Sequence, residues 1–238
     1  MQILGHTRGA VLGLAARLTD CPVRLRWGGP QVEDAVNGRA HLHDGLEQLR
    51  TFEAAKIPTV QFTTDPRVRD RLVDEGRIVL GRSLHHTQGL DIVWPGQSAK
   101  RNIAWNKRDF WTVYRPSVCE WRIHIVNGHS IARGLKHFAP EEDDSLALKL
   151  GSKVIIRSRR LGWHMRHDTT PPKGLRDLAK QAVTACGYDL GAVDVLQIGD
   201  GKATPLQYCV LEVNSRPAIR DDYTLDAYEK ALRNYEGV

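Results

Sequence analysis

The sequence predicts an α+β fold with much antiparallel sheet in its second half. Three observations carry that expectation. Strand-like and helix-like segments alternate along the 238 residues. Asn127-Gly128, between two β-like runs, is the strongest short-range hairpin signal in the chain. Residues 192–196 and 208–213 are the most β-like runs of all, and the polar turn Gly199-Asp200-Gly201-Lys202 joins them.

Each element follows from local pattern. Residues 7–18 read as a short helix, stopped by Thr19-Asp20-Cys21-Pro22. Residues 23–27 alternate apolar and polar as a half-buried strand does, and Gly28-Gly29-Pro30 ends them. Asp44 is placed to cap a helix whose apolar positions Leu46, Leu49, Phe52 and Ala55 recur at helical spacing. Pro58 lies beyond it, before a strand over 59–63. Residues 67–75 are helical in character, and 77–80 form a strand entering the polar segment 83–89. Strands are expected at 92–94, 110–114, 121–127 and 129–132, with another pair at 154–157 and 162–165. Pro171-Pro172 opens a helix with Leu175, Leu178, Ala179, Ala182 and Val183 on one face, and Gly187 ends it. A last helix, 224–235, sets Leu225, Tyr228, Leu232 and Tyr235 on one side.

Composition narrows the class. With 41% hydrophobic and 26% charged residues, 21 Gly and 11 Pro, the chain is neither collagen-like nor a disordered tail. Cys21, Cys119, Cys186 and Cys209 are scattered without a Cys-x-x-Cys pair, which argues against a disulfide framework and a cysteine zinc template. Residues 1–8 lack a basic region followed by an apolar one, and the apolar stretch 10–16 is far short of the roughly 20 residues of a spanning helix, so a cytoplasmic protein without a membrane partner is expected. The net charge of +6 points to an anionic partner without naming it.

Two acidic residues sit inside otherwise apolar strands: Asp194 in Ala-Val-Asp-Val and Glu212 in Val-Leu-Glu-Val-Asn. A lone ionised carboxylate in a core is costly unless it is paired or holds a metal. Glu212 and Asn214 are two apart and share a strand face. If the two strands pair, Asp194 joins them, and two carboxylates with a carboxamide oxygen make a hard donor set suited to Mg2+. A carboxylate satisfied by one of the arginines is the other reading, and composition leaves both open.

Several motifs together resemble a known family. Gly187-Tyr188-Asp189-Leu190-Gly191-Ala192-Val193-Asp194-Val195, then Val210-Leu211-Glu212-Val213-Asn214-Ser215-Arg216-Pro217, resembles the metal-binding end of ATP-grasp ligases. Residues 49–58 resemble the helix before the first strand of the ATP-grasp lid, and Arg82 with the Gly89 loop resembles its basic strand end and phosphate-covering loop. Glu120-Trp121-Arg122-Ile123-His124-Ile125, with Asn127-Gly128 behind it, resembles the acidic-x-Arg strand and hairpin after the adenine hinge. The order is similar to short ATP-grasp proteins of bacteriophage genomes, related to amino-acid and peptide (glutamate) ligases, over about residues 45–220.

The resemblance implies two α+β lobes gripping a nucleotide between antiparallel sheets, with a shortened N-terminal lobe: 1–45 that lobe, 46–111 the lid, 112–238 the metal-binding subdomain. It implies that Asp194, Glu212 and Asn214 hold Mg2+ on ATP. Arg122 would meet phosphate or an acyl phosphate. Thr112, Val113, Tyr114 and Arg115 would form the adenine hinge; Arg82, Gly89 and Lys136 would bind nucleotide phosphate. Arg157 would face phosphate or an anionic substrate, and Arg216 would serve both catalysis and the acceptor carboxylate. The implied activity is amide formation between a small-molecule or peptide carboxylate and an amine, by way of an acyl phosphate, in the host cytoplasm if phage-encoded. No Walker lysine motif and no Gly-x-Ser-x-Gly support the common alternatives.

Two departures support a second reading. Gln48 stands where relatives carry a lysine, and the loop His85-His86-Thr87-Gln88-Gly89 has one glycine. On those, a degenerate module binding nucleotide or nucleic acid is the alternative, with Arg157-Ser158-Arg159-Arg160 beside Trp163 as its basic patch. Nucleic acid is the less favoured partner, and oligomeric state is not legible. His164, His167 and the pair His41 and His43 read as cleft, surface or loop histidines.

Overall fold

The computed structural model describes residues 1–5, 10–84, 92–94, 105–139, 156–198, 207–219 and 221–235. In chain order its elements are β1 (Gln2–Gly5), α1 (Ala10–Arg17), β2 (Arg24–Trp27), α2 (Gly45–Ala54), β3 (Phe62–Thr63), α3 (Pro66–Asp74), β4 (Val79–Arg82), β5 (Phe110–Val113), β6 (Cys119–Val126), β7 (His129–Phe138), β8 (Trp163–Arg166), α4 (Lys173–Ala185), β9 (Leu190–Ile198), β10 (Gln207–Asn214) and α5 (Asp222–Arg233).

Helix starts follow side-chain chemistry. Asp44 accepts the Leu46 and Glu47 amides at 2.8 Å, and the Glu47 carboxylate accepts the Asp44 amide at 2.9 Å. This reciprocal capping box fixes the first turn of α2. Asp65 caps α3, whose first residue is Pro66. Asp221 caps α5 through the Thr224 amide.

Strands β10-β9-β6-β7-β8 form one antiparallel sheet, β3-β5-β4 a smaller antiparallel sheet, and β1-β2 a parallel pair. Asn127 and Gly128 take φ of 47° and 70°, the left-handed pair a type I′ turn needs, and fold β7 back on β6. Helices α2 and α4 cover one face of the large sheet. Leu46, Leu49 and Phe52 join Leu175, Leu178 and Val183 against Trp121, Ile123, Val193, Val195 and Val213. Each such side chain stabilises the fold by about 1.5–3 kcal/mol when fully buried. A second cluster packs Val11 and Leu14 of α1, and Leu18 just after it, with Leu25 of β2 and Tyr228 and Leu232 of α5.

The architecture is the expected α+β one with antiparallel sheets. Four local differences have physical reasons. Strand β1 was not anticipated, because Gln-Ile-Leu-Gly has no apolar–polar alternation and the strand forms only through parallel pairing with β2. Strand β7 runs to Phe138, not 132, because Arg133 and Lys136 interrupt the apolar pattern while sitting in the ladder. The segment expected as a strand at 92–94 makes one bridge, Val93 with Gly81. Of the strand expected at 59–63, only Phe62–Thr63 pairs with β5, while Thr59 bridges to Val210. Gly89, His85 and His86, residues 154–155 and the turn 199–202 lie outside the described residues. Among the described residues, no helix is long and apolar enough to cross a membrane.

Candidate functional site

A bulge builds the site. In the β10–β9 ladder Val210 opposes Val195 and Glu212 opposes Asp194, so Leu211 is the extra residue. In an unbroken ladder Leu211 would oppose Asp194, and Glu212 would point to the other face. The Pro58–Thr59 segment pins the bulge: the Val210 amide donates to Pro58 O at 2.8 Å, and the Thr59 hydroxyl donates to Val210 O at 2.8 Å. Strand β6 then adds Arg122 opposite Asp194, and β7 adds Gly134 opposite Arg122. A row of Glu212, Asp194, Arg122 and Gly134 thus crosses four strands.

Charge is concentrated on that row. Arg122 donates to Asp194 twice, Nε to Oδ1 and Nη2 to Oδ2, both at 2.7 Å. Lys136 Nζ donates to Asp194 Oδ2 at 3.1 Å, to Arg157 O at 3.2 Å, and to the Glu120 carboxylate. Arg157 binds Ser117 through its hydroxyl (2.7 Å) and carbonyl (3.0 Å), lies 3.8 Å from Glu120, and stacks 5.1 Å above Trp163. Asn214 Nδ2 donates to Glu212 Oε1 at 3.0 Å. Arg122, Lys136 and Arg157 therefore face Glu120, Asp194 and Glu212, three cations against three carboxylates, which makes their burial tolerable.

Titration follows from these contacts. Burial alone would raise Asp194, but Arg122 and Lys136 outweigh it and hold its carboxyl below the usual range. Glu120 goes the other way: burial, with Asp194 nearby, lifts it above the usual range despite Lys136. Burial works against charge on Arg122 and Lys136 too, yet Asp194 keeps both above their ordinary values. Behind the row, buried His124 bonds the Tyr228 hydroxyl through Nδ1 at 3.0 Å, and burial with Arg122 pushes its pKa down to about 3.

These side chains line a cleft of about 960 Å³ between the two antiparallel sheets, near the upper end for small-molecule sites. Of the residues singled out from sequence, Arg82, Thr112, Val113, Tyr114, Arg115, Lys136, Arg122, Arg157, Asp194, Glu212, Asn214 and Arg216 all line it, while Gly89 lies outside the described residues. Thr112 and Val113 end the middle strand of the small sheet, and residues 114–118 lead into β6. The Val113 and Tyr114 amides already donate to Gln61 O and Ile78 O at 2.8 Å. Arg216 is exposed at the rim.

The residues fit a magnesium–triphosphate group. Asp194 uses three of roughly four acceptor positions, leaving one on Oδ1 for an ion. Among the described residues, buried Arg157 Nε and Ser158 Oγ have no hydrogen-bond partner, and both belong to residues lining the same cleft.

The fold gives Gln48 a structural role that the sequence reading did not assign. It is buried, donates from Nε2 to Val213 O at 3.0 Å and accepts the Val213 amide on Oε1 at 2.8 Å. It is a staple between α2 and β10. Sequence reasoning also missed Glu120 as a site residue, although it lies two before Arg122 and so shares its face. Ser117, Ser158 and Trp163 carried no signal of their own.

Two antiparallel sheets with a carboxylate–arginine row in the cleft between them define the class: the chain has the ATP-grasp fold. It is similar to D-alanine–D-alanine ligase from Bacillus anthracis at a TM-score of 0.57 and 13% identity, covering 96% of this chain and 78% of that one. It is similar to the ATP-grasp ligase PsnB, solved with its minimal precursor, at a TM-score of 0.53 and 14% identity, over 79% of this chain and 60% of that one. N5-carboxyaminoimidazole ribonucleotide synthetase from Thermotoga maritima matches at a TM-score of 0.51 and 12% identity, over 80% of this chain and 48% of that one. The chain thus spans less than two thirds of the length of PsnB. No family model and no curated protein matches the sequence.

Proposed function

We propose that the protein is an ATP-dependent carboxylate–amine ligase that forms an amide through an acyl phosphate. The observation that carries this reading is the Glu212–Asp194–Arg122 row inside the cleft between the two sheets. The similarity to ligases of the same fold supports it; one PsnB structure holds Mg and ADP with a minimal precursor.

Asp194, Glu212 and Asn214 would hold Mg2+, which when bound neutralises phosphate charge that builds as the terminal phosphoryl group leaves. Arg122, Lys136 and Arg157 would meet the triphosphate and the acyl phosphate, stabilising oxygens that carry negative charge in both steps. Thr112–Arg115 would flank the adenine, with base recognition falling on carbonyls or beyond Tyr114, since the amides of Val113 and Tyr114 are committed. Arg82, on the small sheet, and the Gly89 loop would cover the phosphates. Arg216, exposed at the rim, would hold the acceptor carboxylate.

The chemistry asks little of a protein nucleophile. A substrate carboxylate attacks the γ-phosphorus and ADP leaves; the amine then attacks the acyl carbon, loses a proton and expels phosphate. Both steps call for fixed positive charge and exclusion of water.

The test is ADP release together with a new amide, read by mass spectrometry over a panel of carboxylates and amines. Asp194→Asn with Glu212→Gln should abolish both in a folded protein. Unchanged ATP-dependent product formation in that variant would overturn the metal assignment, and no Mg-ATP binding by calorimetry in the native chain would overturn the ligase reading.

A further inference from the structure

A second donor cluster lies outside the charged row, where the chain enters α2. His41 and His43 are two apart on a stretch without helix, and Leu42 between them packs against the main core. The two imidazole rings lie beside each other, centroids 5.0 Å apart. Glu47 comes up beside them on the first turn of α2. His41 Nε2 lies 3.4 Å from Glu47 Oε2, and one donor atom from each of the three residues falls within 4.8 Å of the others. Among the described residues, no other group of His, Cys, Asp and Glu meets that spacing.

One edge of the cluster already has the spacing of a metal site. A tetrahedral ion with bonds of about 2.0–2.1 Å sets its donor atoms roughly 3.4 Å apart, which the His41–Glu47 edge already matches. Two of the three donor residues are also held by neighbours outside the cluster. Glu47 accepts the Asp44 amide at 2.9 Å, and the His43 amide donates to the Tyr188 hydroxyl at 3.0 Å. The His43 ring packs edge-on to the Tyr188 ring at 5.9 Å, and the His41 ring edge-on to His43 at 5.0 Å. Such supporting contacts orient metal ligands before the ion arrives.

We propose that His41, His43 and Glu47 bind a divalent transition ion of the Zn2+ class. Two imidazoles and a carboxylate suit such an ion, whereas Asp194, Glu212 and Asn214 offer only oxygens and suit Mg2+. Three protein ligands leave a coordination position open. His43 also lines the large cleft, so the cluster adjoins the rim of the charged site, while His41 and Glu47 stand outside its lining. The inference goes beyond the ligase reading and does not depend on it. The competing account is an exposed His41–Glu47 ion pair, whose side chains are 66% and 44% accessible and which would contribute at most about 1 kcal/mol to stability.

Calorimetric titration of the metal-free full chain with ZnCl2, in excess Mg2+, decides between them, with Co2+ absorption as a second readout. The expected result is one equivalent per chain, visible-region bands of a four- or five-coordinate Co2+, and no displacement by Mg2+. His41→Ala and Glu47→Gln should each weaken Zn2+ binding about tenfold or more. Exposed His41 can be removed without disturbing the core, and Gln at 47 keeps an acceptor for the Asp44 amide, so both variants should match the native melting temperature without metal. Absence of saturable Zn2+ binding, or one-equivalent binding unchanged in both variants, would overturn the site.

Discussion

Arg122 and Asp194 face each other on neighbouring strands and join through two hydrogen bonds of 2.7 Å, with the aspartate side chain only 4% accessible. A buried pair of this geometry is worth little net against apolar residues of the same shape, yet breaking it from one side leaves an uncompensated charge. Arg122→Met should therefore cost about 3–5 kcal/mol by urea denaturation, because buried Asp194 loses two of its three charged hydrogen bonds and keeps only that from Lys136. The double variant Arg122→Met with Asp194→Leu should lose clearly less than the sum of the two single losses. Additive losses in that cycle would mean the two side chains are not energetically coupled.

His124 supplies a pH dependence with a definite sign. Its neighbours are Arg122, Asp194, Asp221, His167 and the Tyr228 hydroxyl, and burial dominates among them. The unfolded chain takes a proton at this position near pH 6.5, while the folded chain refuses it until about 3. Protons therefore favour unfolding across that window. His124's contribution is complete above pH 6.5 and is lost as the pH falls towards 3. Its slope approaches about 1.4 kcal/mol per pH unit, the value for one proton. Urea denaturation at several pH values should show a shallower decline for His124→Asn than for the native chain. Parallel curves would show that His124 is protonated in both states.

Gln48 tests whether the site has decayed or has been rebuilt. Replacing it with Ala strands the Val213 amide and carbonyl in a buried place, at roughly 1–3 kcal/mol for each group. The expected loss is about 2–6 kcal/mol in chemical denaturation. Gln48→Lys should lose as much or more, since an ammonium there accepts nothing from the Val213 amide. A stable Gln48→Lys protein with tighter Mg-ATP binding would instead restore the view of a missing cation.

Much of this site was legible because strands have a period of two. Glu212 and Asn214 share a face by spacing alone, and the acidic residues stood out inside apolar runs. The pairing of β9 with β10 was also readable. What was hidden is the bulge at Leu211, without which that pairing turns Glu212 away from Asp194. A bulge depends on the Pro58–Thr59 contact from a distant segment, and no local pattern announces it. The same limit explains Gln48: a buried carboxamide bridging backbone groups 165 residues away looks, in sequence, like a polar residue on a helix surface. Lys136 shows the reverse case. Its position after the hairpin marked it as a nucleotide contact, and the fold adds that its ammonium already bridges Glu120 and Asp194.

Two glycines of the large sheet should respond differently to the same change. A Cβ on Gly191 would sit 2.9 Å from Val213 Cγ1 and 3.4 Å from Val183 Cγ2, both stiff, buried side chains that clamp α4 and β10 onto β9. A Cβ on Gly134 would sit 2.9 Å from Met165 Sδ and 3.2 Å from Met165 Cβ; the thioether can swing away, and the Cβ contact needs only a small shift of an edge strand. Gly191→Ala should therefore lower stability by about 1–3 kcal/mol, the usual cost of overpacking, with Mg-ATP affinity of the folded fraction unchanged. Gly134→Ala should lose less in urea denaturation. Because Gly134 opposes Arg122 and Met165 lines the cleft, the displaced side chain should reduce the space beside Arg122 and weaken Mg-ATP binding in calorimetry. Equal stability losses with equal affinity in the two variants would mean that Met165 does not yield into the cleft.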